Sequence, residues 1–296
     1  MDRLSALRLF VRAVETASFS RAARESGMSQ PAVSRAVASL EADLGARLML
    51  RTTRRLAVTE AGQRVYVQAL RLLAEEDALV EAVAGADREP VGRLRISTSV
   101  AFAATEIAPH VEAFLARYPR MRLDIVATDT RIDPVAEGVD LMFRLGDLAD
   151  SGMTSRRLGA YPRWLVAAPA LAGQLRADKP PAELVAGRCI VFSGSAAAGR
   201  WSLTRGDATS DFEASGPATT TNGAVVASLA AAGAGVALMP SFAVREDLDR
   251  GRLVRVASGW QGPPIDLHAV WPHRELPRKA RVWLDYLAPR LTLAVS

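Results

Sequence analysis

The chain has 296 residues, 49% hydrophobic and 23% charged, a balance ordinary for soluble globular protein and long enough for about two domains. A single cysteine, Cys189, excludes an intramolecular disulfide framework; the charged, amphipathic start lacks the apolar run of a secretory leader; and the most apolar later stretch, 223–240, is too short and too rich in Ala and Gly to span a bilayer, so a cytoplasmic protein with no membrane partner is expected. The formal net charge is +5 and sits at one end: residues 1–66 carry 11 Arg against 6 acids, and the rest of the chain carries 26 basic and 26 acidic residues, which points to a polyanion partner for the first fifth of the chain.

Leu4, Leu7, Val11 and Val14 recur at helical spacing and predict an amphipathic helix over 3–16. Ser18 or Ser20 can cap a second helix, SRAARES, which stops at Gly27; Ser29 caps a third, with Pro31 tolerated in its first turn. Val33, Val37, Leu40 and Leu44 form the apolar side of the third helix, and Gly45 ends it. Two short β-like runs, Leu48 to Leu50 and Leu56 to Val58, flank the polar turn Arg51-Thr52-Thr53-Arg54-Arg55 and read as a hairpin, or wing. Thr59 opens a helix expected to reach about Ala84, with Gly62 tolerated near its start. Tyr66, Leu70, Leu73, Val80 and Ala84 mark one face of it, with Val65, Leu72, Leu79 and Val83 alongside. So broad a stripe with no partner nearby in sequence predicts pairing between subunits, with Leu73 in the seam; the alternative is a helix lying on its own domain.

The stretch 85–92 is polar, contains Pro and Gly, and reads as a linker. Behind it, strand-like and helix-like segments alternate: a strand at RLRISTS, a helix over 103–118, a strand at MRLDIVAT, a helical turn near 134–138 and a strand over 139–144. Further apolar runs at 163–167, 189–192, 218–221, 235–238 and 267–271 predict strands, with helices at 223–232 and 277–287. This alternation predicts an α/β domain with mostly parallel sheets.

Residues 18–45 are therefore helix, tight turn, helix. In such a motif the second helix enters the major groove of double-stranded DNA and its N-terminal side chains reach base edges. Ser29, Gln30, Pro31, Ser34 and Arg35 stand at that end: Gln30 can bond adenine through both amide atoms, Ser34 can donate or accept, and Arg35 can fork onto guanine. Arg51, Arg54 and Arg55 of the wing can reach phosphates or a narrow minor groove.

Taken in order, Ala22-Ala23, Ser29-Gln30-Pro31-Ala32-Val33-Ser34-Arg35, Leu40-Glu41-Ala42-Asp43-Leu44-Gly45, Leu48 to Arg51 and Thr59-Glu60-Ala61-Gly62 resemble the DNA-binding head of the LysR-type transcriptional regulators. Met49 stands where many members carry Phe, a packing exchange. Later runs, VDLMFRLGDLADSGMTSRRL, AAGAGVALMPSFAVREDLDRGRLVRV and WPHRELPRKARVWLDYL, resemble one branch of the family's effector domain, so the likeness covers nearly the whole chain. The resemblance implies an α/β protein with three parts. A winged helix-turn-helix occupies 1–59 (the helix-turn-helix itself about 19–38), a linker and dimerisation helix 60–88, and a two-lobed α/β effector-binding domain like that of periplasmic binding proteins 89–296. Lobe one would hold about 93–165 plus 267–296, and lobe two about 166–266. It also implies a homodimer or homotetramer and a small-molecule effector between the lobes, with RNA polymerase as a further candidate partner; two recognition helices related by a two-fold axis would then call for an interrupted palindromic operator.

Ligands of α/β sheets sit beyond the carboxyl ends of strands. That rule, with the resemblance, selects Thr98 and Ser99, Thr128, Arg144, Ser193, and Thr221 with Asn222 as effector contacts; hydroxyls and N–H groups before a helix, with an arginine nearby, suit a carboxylate. Each of these residues also suits a plain cap or turn. No cofactor and no metal are expected. Residues 194–201 have the glycine spacing of a phosphate loop, but Arg200 and Trp201 replace its Lys and its Ser/Thr. Gly233-Ala234-Gly235 lies between a helix and a strand, the wrong order for a dinucleotide fingerprint. His110, His268 and His273 lack paired spacing. No nucleophile elbow is visible, which weighs against an enzyme with a DNA-binding head; a solute-binding protein would need a leader and no helix-turn-helix. A DNA-binding protein that has lost its effector response is the remaining alternative.

Overall fold

In the computed structural model, which describes residues 2–51, 56–83, 89–148, 152–176, 179–194, 198–272 and 275–293, Asp2 starts the first helix by accepting the Ser5 N–H through Oδ1 at 2.8 Å. Helix α1 (Arg3–Thr16) packs Leu7, Phe10 and Val11 against α2 (Phe19–Glu25) and α3 (Gln30–Leu44). Ser18, not Ser20, caps α2: its Oγ accepts the Arg21 N–H at 3.2 Å. Ser29 caps α3 through the Ala32 N–H at 3.4 Å, and Gly45 ends that helix at φ 65, a left-handed conformation that costs glycine little. Val33, Val37 and Leu40 are buried, but Leu44 is 40% exposed, so the apolar face of α3 stops one turn short of the sequence reading.

Strands β1 (Met49–Arg51) and β2 (Leu56–Val58) pair antiparallel, with Met49 opposite Val58. Glu41 ties this hairpin to α3, since its Oε1 accepts the N–H groups of Leu48 and Met49 at 2.8 and 3.0 Å. The wing tip with Arg54 and Arg55, and residues 84–88 of the expected linker, lie outside the described residues. Helix α4 (Glu60–Val83) starts from Thr59, whose Oγ1 accepts the Gly62 N–H at 2.9 Å and donates to the Arg47 carbonyl at 2.7 Å. Gly62 is required rather than tolerated: a Cβ there would sit 2.0 Å from the Leu48 carbonyl oxygen.

The face of α4 assigned to a subunit seam is corrected in its first half. Tyr66, Leu70 and Leu73 are buried in the core formed with α1 and α3, so this part of the helix lies on its own domain. The ion pair Arg8–Glu76, at 3.0 Å, ties the same helix to α1. The exposed leucines are Leu72, at 53%, and Leu79, at 67%.

The chain divides into two compact units, Met1–Arg88 with Val135–Gly138, and Glu89–Pro134 with Val139–Ser296. In the second, β3 (Gly92–Thr98) leads into a continuous helical stretch made of α5 (Val100–Phe102), a π-helical turn (Ala103–Ile107) and α6 (Ala108–Arg117). Then come β4 (Met121–Ala127), β5 (Leu141–Leu145) and the long β6 (Thr154–Ala167). Two short helices, α7 (Pro169–Ala172) and α8 (Pro181–Leu184), precede β7 (Ile190–Phe192), the hairpin β8 (Arg200–Arg205) and β9 (Ala208–Glu213), and β10 (Ala218–Thr220). Helix α9 (Gly223–Ala231), β11 (Ala237–Pro240), α10 (Ser241–Asp249), β12 (Val254–Arg255), β13 (Gly262–Trp271) and α11 (Arg278–Leu287) complete it.

The main sheet has the order β11-β6-β13-β5-β3-β4, with β12 on β6. It is mixed, which corrects the expectation of mostly parallel sheets. β3 runs parallel to β4 and β5, and β7 parallel to β10, but β13 is antiparallel to β5 and β6, and β11 and β12 are antiparallel to β6. The cause is connectivity. β6 carries the chain out of the first lobe and β13 brings it back, and neighbouring strands that go out and return must oppose each other.

Each lobe has its own core. Phe102, Phe114, Phe143, Tyr161 and Trp283 fill the first, and Leu165, Trp201, Leu203, Val236 and Trp260 one side of the second. Cys189 belongs to the latter, 1% exposed, its thiol donating to the Val185 carbonyl at 3.4 Å. Burial pushes this thiol up to about 11, and thiolate is the reactive form. Native chain at neutral pH should therefore resist an aromatic disulfide reagent and react fully once unfolded. Prompt labelling of the native chain would contradict the packing described.

Candidate DNA-binding face and effector cleft

Helix α3 presents two chemically different sides. Val33, Ala36, Val37 and Leu40 are buried against α1 and α2, whereas Gln30, Pro31 and Arg35 are exposed and Ser34 is half-buried. The Ser29 cap fixes where the helix begins, so the exposed side chains of its first two turns project from a defined end. Arg51 closes β1 at the base of the wing, opposite Leu56.

In the second unit, the carboxyl ends of β3, β4, β7 and β10 lie where helices α5 and α9 begin, and α5 contacts α9. Thr98 ends β3 and is fully buried, its hydroxyl without a partner among the described residues. Its carbonyl accepts the Thr128 N–H at 2.8 Å, which joins the two strand ends. Ser99 is the N-cap of α5, its Oγ accepting the Phe102 N–H at 3.3 Å. The Thr128 and Thr130 hydroxyls share a hydrogen bond of 2.7 Å. Across from them, the Ser193 N–H donates to the Thr220 carbonyl at 2.9 Å, Thr221 is exposed, and Asn222 caps α9 through the Val225 N–H at 3.0 Å.

The sequence reading missed Asp129, which connects the two groups. Its carboxylate accepts the Val100 N–H at the start of α5 and the Asn222 Nδ2–H at 2.6 Å. Burial raises this carboxyl above the usual range, opposed by those two bonds. The Arg144 guanidinium reaches the Met142 sulfur at 3.4 Å, and burial, reinforced by the charge of Arg131, holds its pKa below the ordinary arginine value. A second missed group sits beneath the helical stretch 100–117. Glu106, 4% exposed in the π-helical turn, accepts the Tyr161 hydroxyl at 2.8 Å and meets Arg245 of α10 at 3.6 Å. Burial and the Glu106 charge together push the Tyr161 phenol far above its usual range, so it remains a donor.

The family model for the bacterial regulatory helix-turn-helix protein, lysR family, matches residues 4–63, and that for the LysR substrate binding domain matches 87–292. The HTH-type transcriptional regulator PtxR of Pseudomonas aeruginosa is 32% identical over 98% of this chain and 95% of its own length. The chain belongs to the LysR family of transcriptional regulators. The HTH-type transcriptional regulator DmlR of Escherichia coli is 32% identical over 96% of the chain and 93% of its own length. Among solved structures, that of CrgA, a LysR-type transcriptional regulator from Neisseria meningitidis, has 30% identity and a TM-score of 0.61, covering 99% of this chain and 100% of that one.

As a LysR-type regulator, the protein joins a helix-turn-helix DNA-binding head to a two-lobed α/β effector-binding domain. Among the described residues no group of three or more His, Cys, Asp and Glu could hold a metal ion, and no helix is long and apolar enough to cross a membrane.

Proposed function

We propose that this regulator acts in the cytoplasm as a homodimer or homotetramer on an interrupted palindrome, that Gln30, Ser34 and Arg35 read its bases, and that a small molecule in the cleft controls it. The observation that supports the base-reading assignment is the division of α3, apolar against its own domain and polar at the exposed first turns. Arg51, Arg54 and Arg55 would grip the sugar-phosphate backbone or minor groove, without a base code of their own. Thr98, Ser99, Thr128, Arg144, Ser193, Thr221 and Asn222 would line the effector site, and the half-buried Arg144 favours an effector with a carboxylate. No enzymatic activity is proposed, since the curated relatives are named as regulators. RNA polymerase is the partner through which such a protein would act on transcription.

Arg35→Ala tests the reading. A site selected from random duplexes by the wild-type chain should bind the variant more weakly by about 1–3 kcal/mol, as for one bidentate base contact. Loss on random DNA should be smaller, so the specificity ratio falls. Equal loss on selected, base-substituted and random duplexes at fixed salt would assign Arg35 to phosphate instead.

A further inference from the structure

Besides the shared sheet through β6 and β13 and the packing of α9 on α5, two side-chain contacts join the lobes. One is a packed joint. Phe242 of α10 enters the first lobe's core, with ring centroids 5.5 Å from Phe102 and 4.7 Å from Tyr161. Glu106 beside it holds the Tyr161 hydroxyl and faces Arg245. Phe102, Tyr161, Phe242 and Glu106 are all buried, so parting them would expose aromatic surface and strand a carboxylate.

The second contact is a bond between half-buried side chains. Asp129 follows β4, and Asn222 lies 93 residues further along the chain as the cap of α9. Capping dictates which end of the Asn222 amide is free. Oδ1 is committed to the Val225 N–H at 3.0 Å, so Nδ2, which can only donate, faces out of the second lobe. Asp129 is oriented in the same way from the other side, since its carboxylate takes the Val100 N–H at the head of α5. Its acceptor and the Asn222 donor then meet at 2.6 Å. A charge-assisted bond of this length is strong enough to hold a position. Both ends are only part-buried, so water or a ligand can compete for them, although Ala224 beside Asn222 packs against the first lobe's core.

We propose that Asp129 and Asn222 form a releasable latch across the effector cleft, which holds the lobes at their observed spacing about the Phe102–Tyr161–Phe242 joint and which an entering effector must open. The inference rests on the cleft being the effector site. The latch itself, however, is a property of the free protein and is tested without any ligand, so its failure and that of the effector assignment are separable.

The test uses the full chain and amide hydrogen exchange. Asn222→Ser keeps a hydroxyl that can cap α9 but is too short to reach Asp129; Asp129→Ala removes the other end. Each should speed exchange about tenfold or more in both 128–131 and 220–226, because losing one bond frees both segments. The double variant should exchange no faster than either single variant, as two substitutions in one interaction do not add. Asp129→Asn, which keeps one acceptor oxygen but loses the charge, should fall between wild type and Asp129→Ala. Tryptophan fluorescence checks folding, since Trp164, Trp201, Trp260, Trp271 and Trp283 all lie in this domain. Acceleration confined to the substituted residue's own segment, or additive acceleration in the double variant, would overturn the latch and leave Asn222 as a cap alone. If Asp129→Ala does not fold, the Asn222→Ser effect on 128–131 decides the matter.

Discussion

Replacing Asp140 with Ala should cost the effector domain about 3–5 kcal/mol, the loss expected when a buried ion pair keeps one partner and loses the other. Asp140 and Lys279 are each 7% exposed and pair at 2.9 Å. Lys279 also donates to the Arg93 carbonyl at 2.8 Å, and the second oxygen of Asp140 accepts the Arg95 N–H at 2.8 Å. The pair thus fastens α11, near the chain's end, to β3, where the effector domain begins. Without the carboxylate, an ammonium stays in the core with one carbonyl for company, and the Arg95 N–H loses its acceptor. At about 2–4 °C per kcal/mol for a domain of this size, the thermal midpoint read by tryptophan fluorescence should fall by roughly 6–20 °C. Adding Lys279→Met should restore much of the loss, because removing both charges leaves none unpaired. A double variant as unstable as the sum of the two singles would show that the residues act independently.

What could be read beforehand followed the range of the signals. The recognition helix was legible because its information is local: Ser29, Pro31 and Gly45 mark its ends within 17 residues, and Val33, Val37 and Leu40 give its buried side. The first half of β6 was not, because Thr154 to Pro162 carries Arg156, Arg157 and Gly159 where an apolar run was sought. These residues extend as a strand because β13 pairs with them, Asp266 meeting Arg157 at 2.9 Å, and a register shift near Gly159 absorbs the irregularity. The hairpin of β8 and β9 escaped for a related reason, since Trp201, Leu203 and Phe212 alone face a core while Arg200, Arg205 and Glu213 do not. In the candidate site, strand ends and caps drew attention to Ser99, Thr128 and Asn222. Asp129 looks like a turn residue until its partner, 93 positions away, is known. Pairing at that distance carries no spacing signal.

The apolar stripe of α4 shows the same limit and yields the second large effect. Period alone put Tyr66, Leu70 and Leu73 on a face in need of a partner, and α1 supplies one from within the same domain. Leu73, 8% exposed, is therefore a core residue, and Leu73→Ala should cost the N-terminal domain about 2–5 kcal/mol, the range for a leucine removed from a packed core. Leu73→Glu, which would bury a charge there, should abolish folding of that domain altogether. Any loss of assembly in those variants would follow from unfolding and say nothing about a seam. Leu72 and Leu79 are the informative pair. They are seven residues apart, thus on one side of the helix, and both are large apolar side chains left exposed while Tyr66, Leu70 and Leu73 are packed. If α4 joins subunits, Leu79→Glu should leave the helical circular dichroism and the melting of the head unchanged while light scattering shows smaller particles. Leu73→Ala should do the reverse, lowering stability with the particle mass retained at temperatures where the domain is folded. An oligomer of unaltered mass in the Leu72→Glu, Leu79→Glu double variant would place the subunit contact elsewhere on the chain.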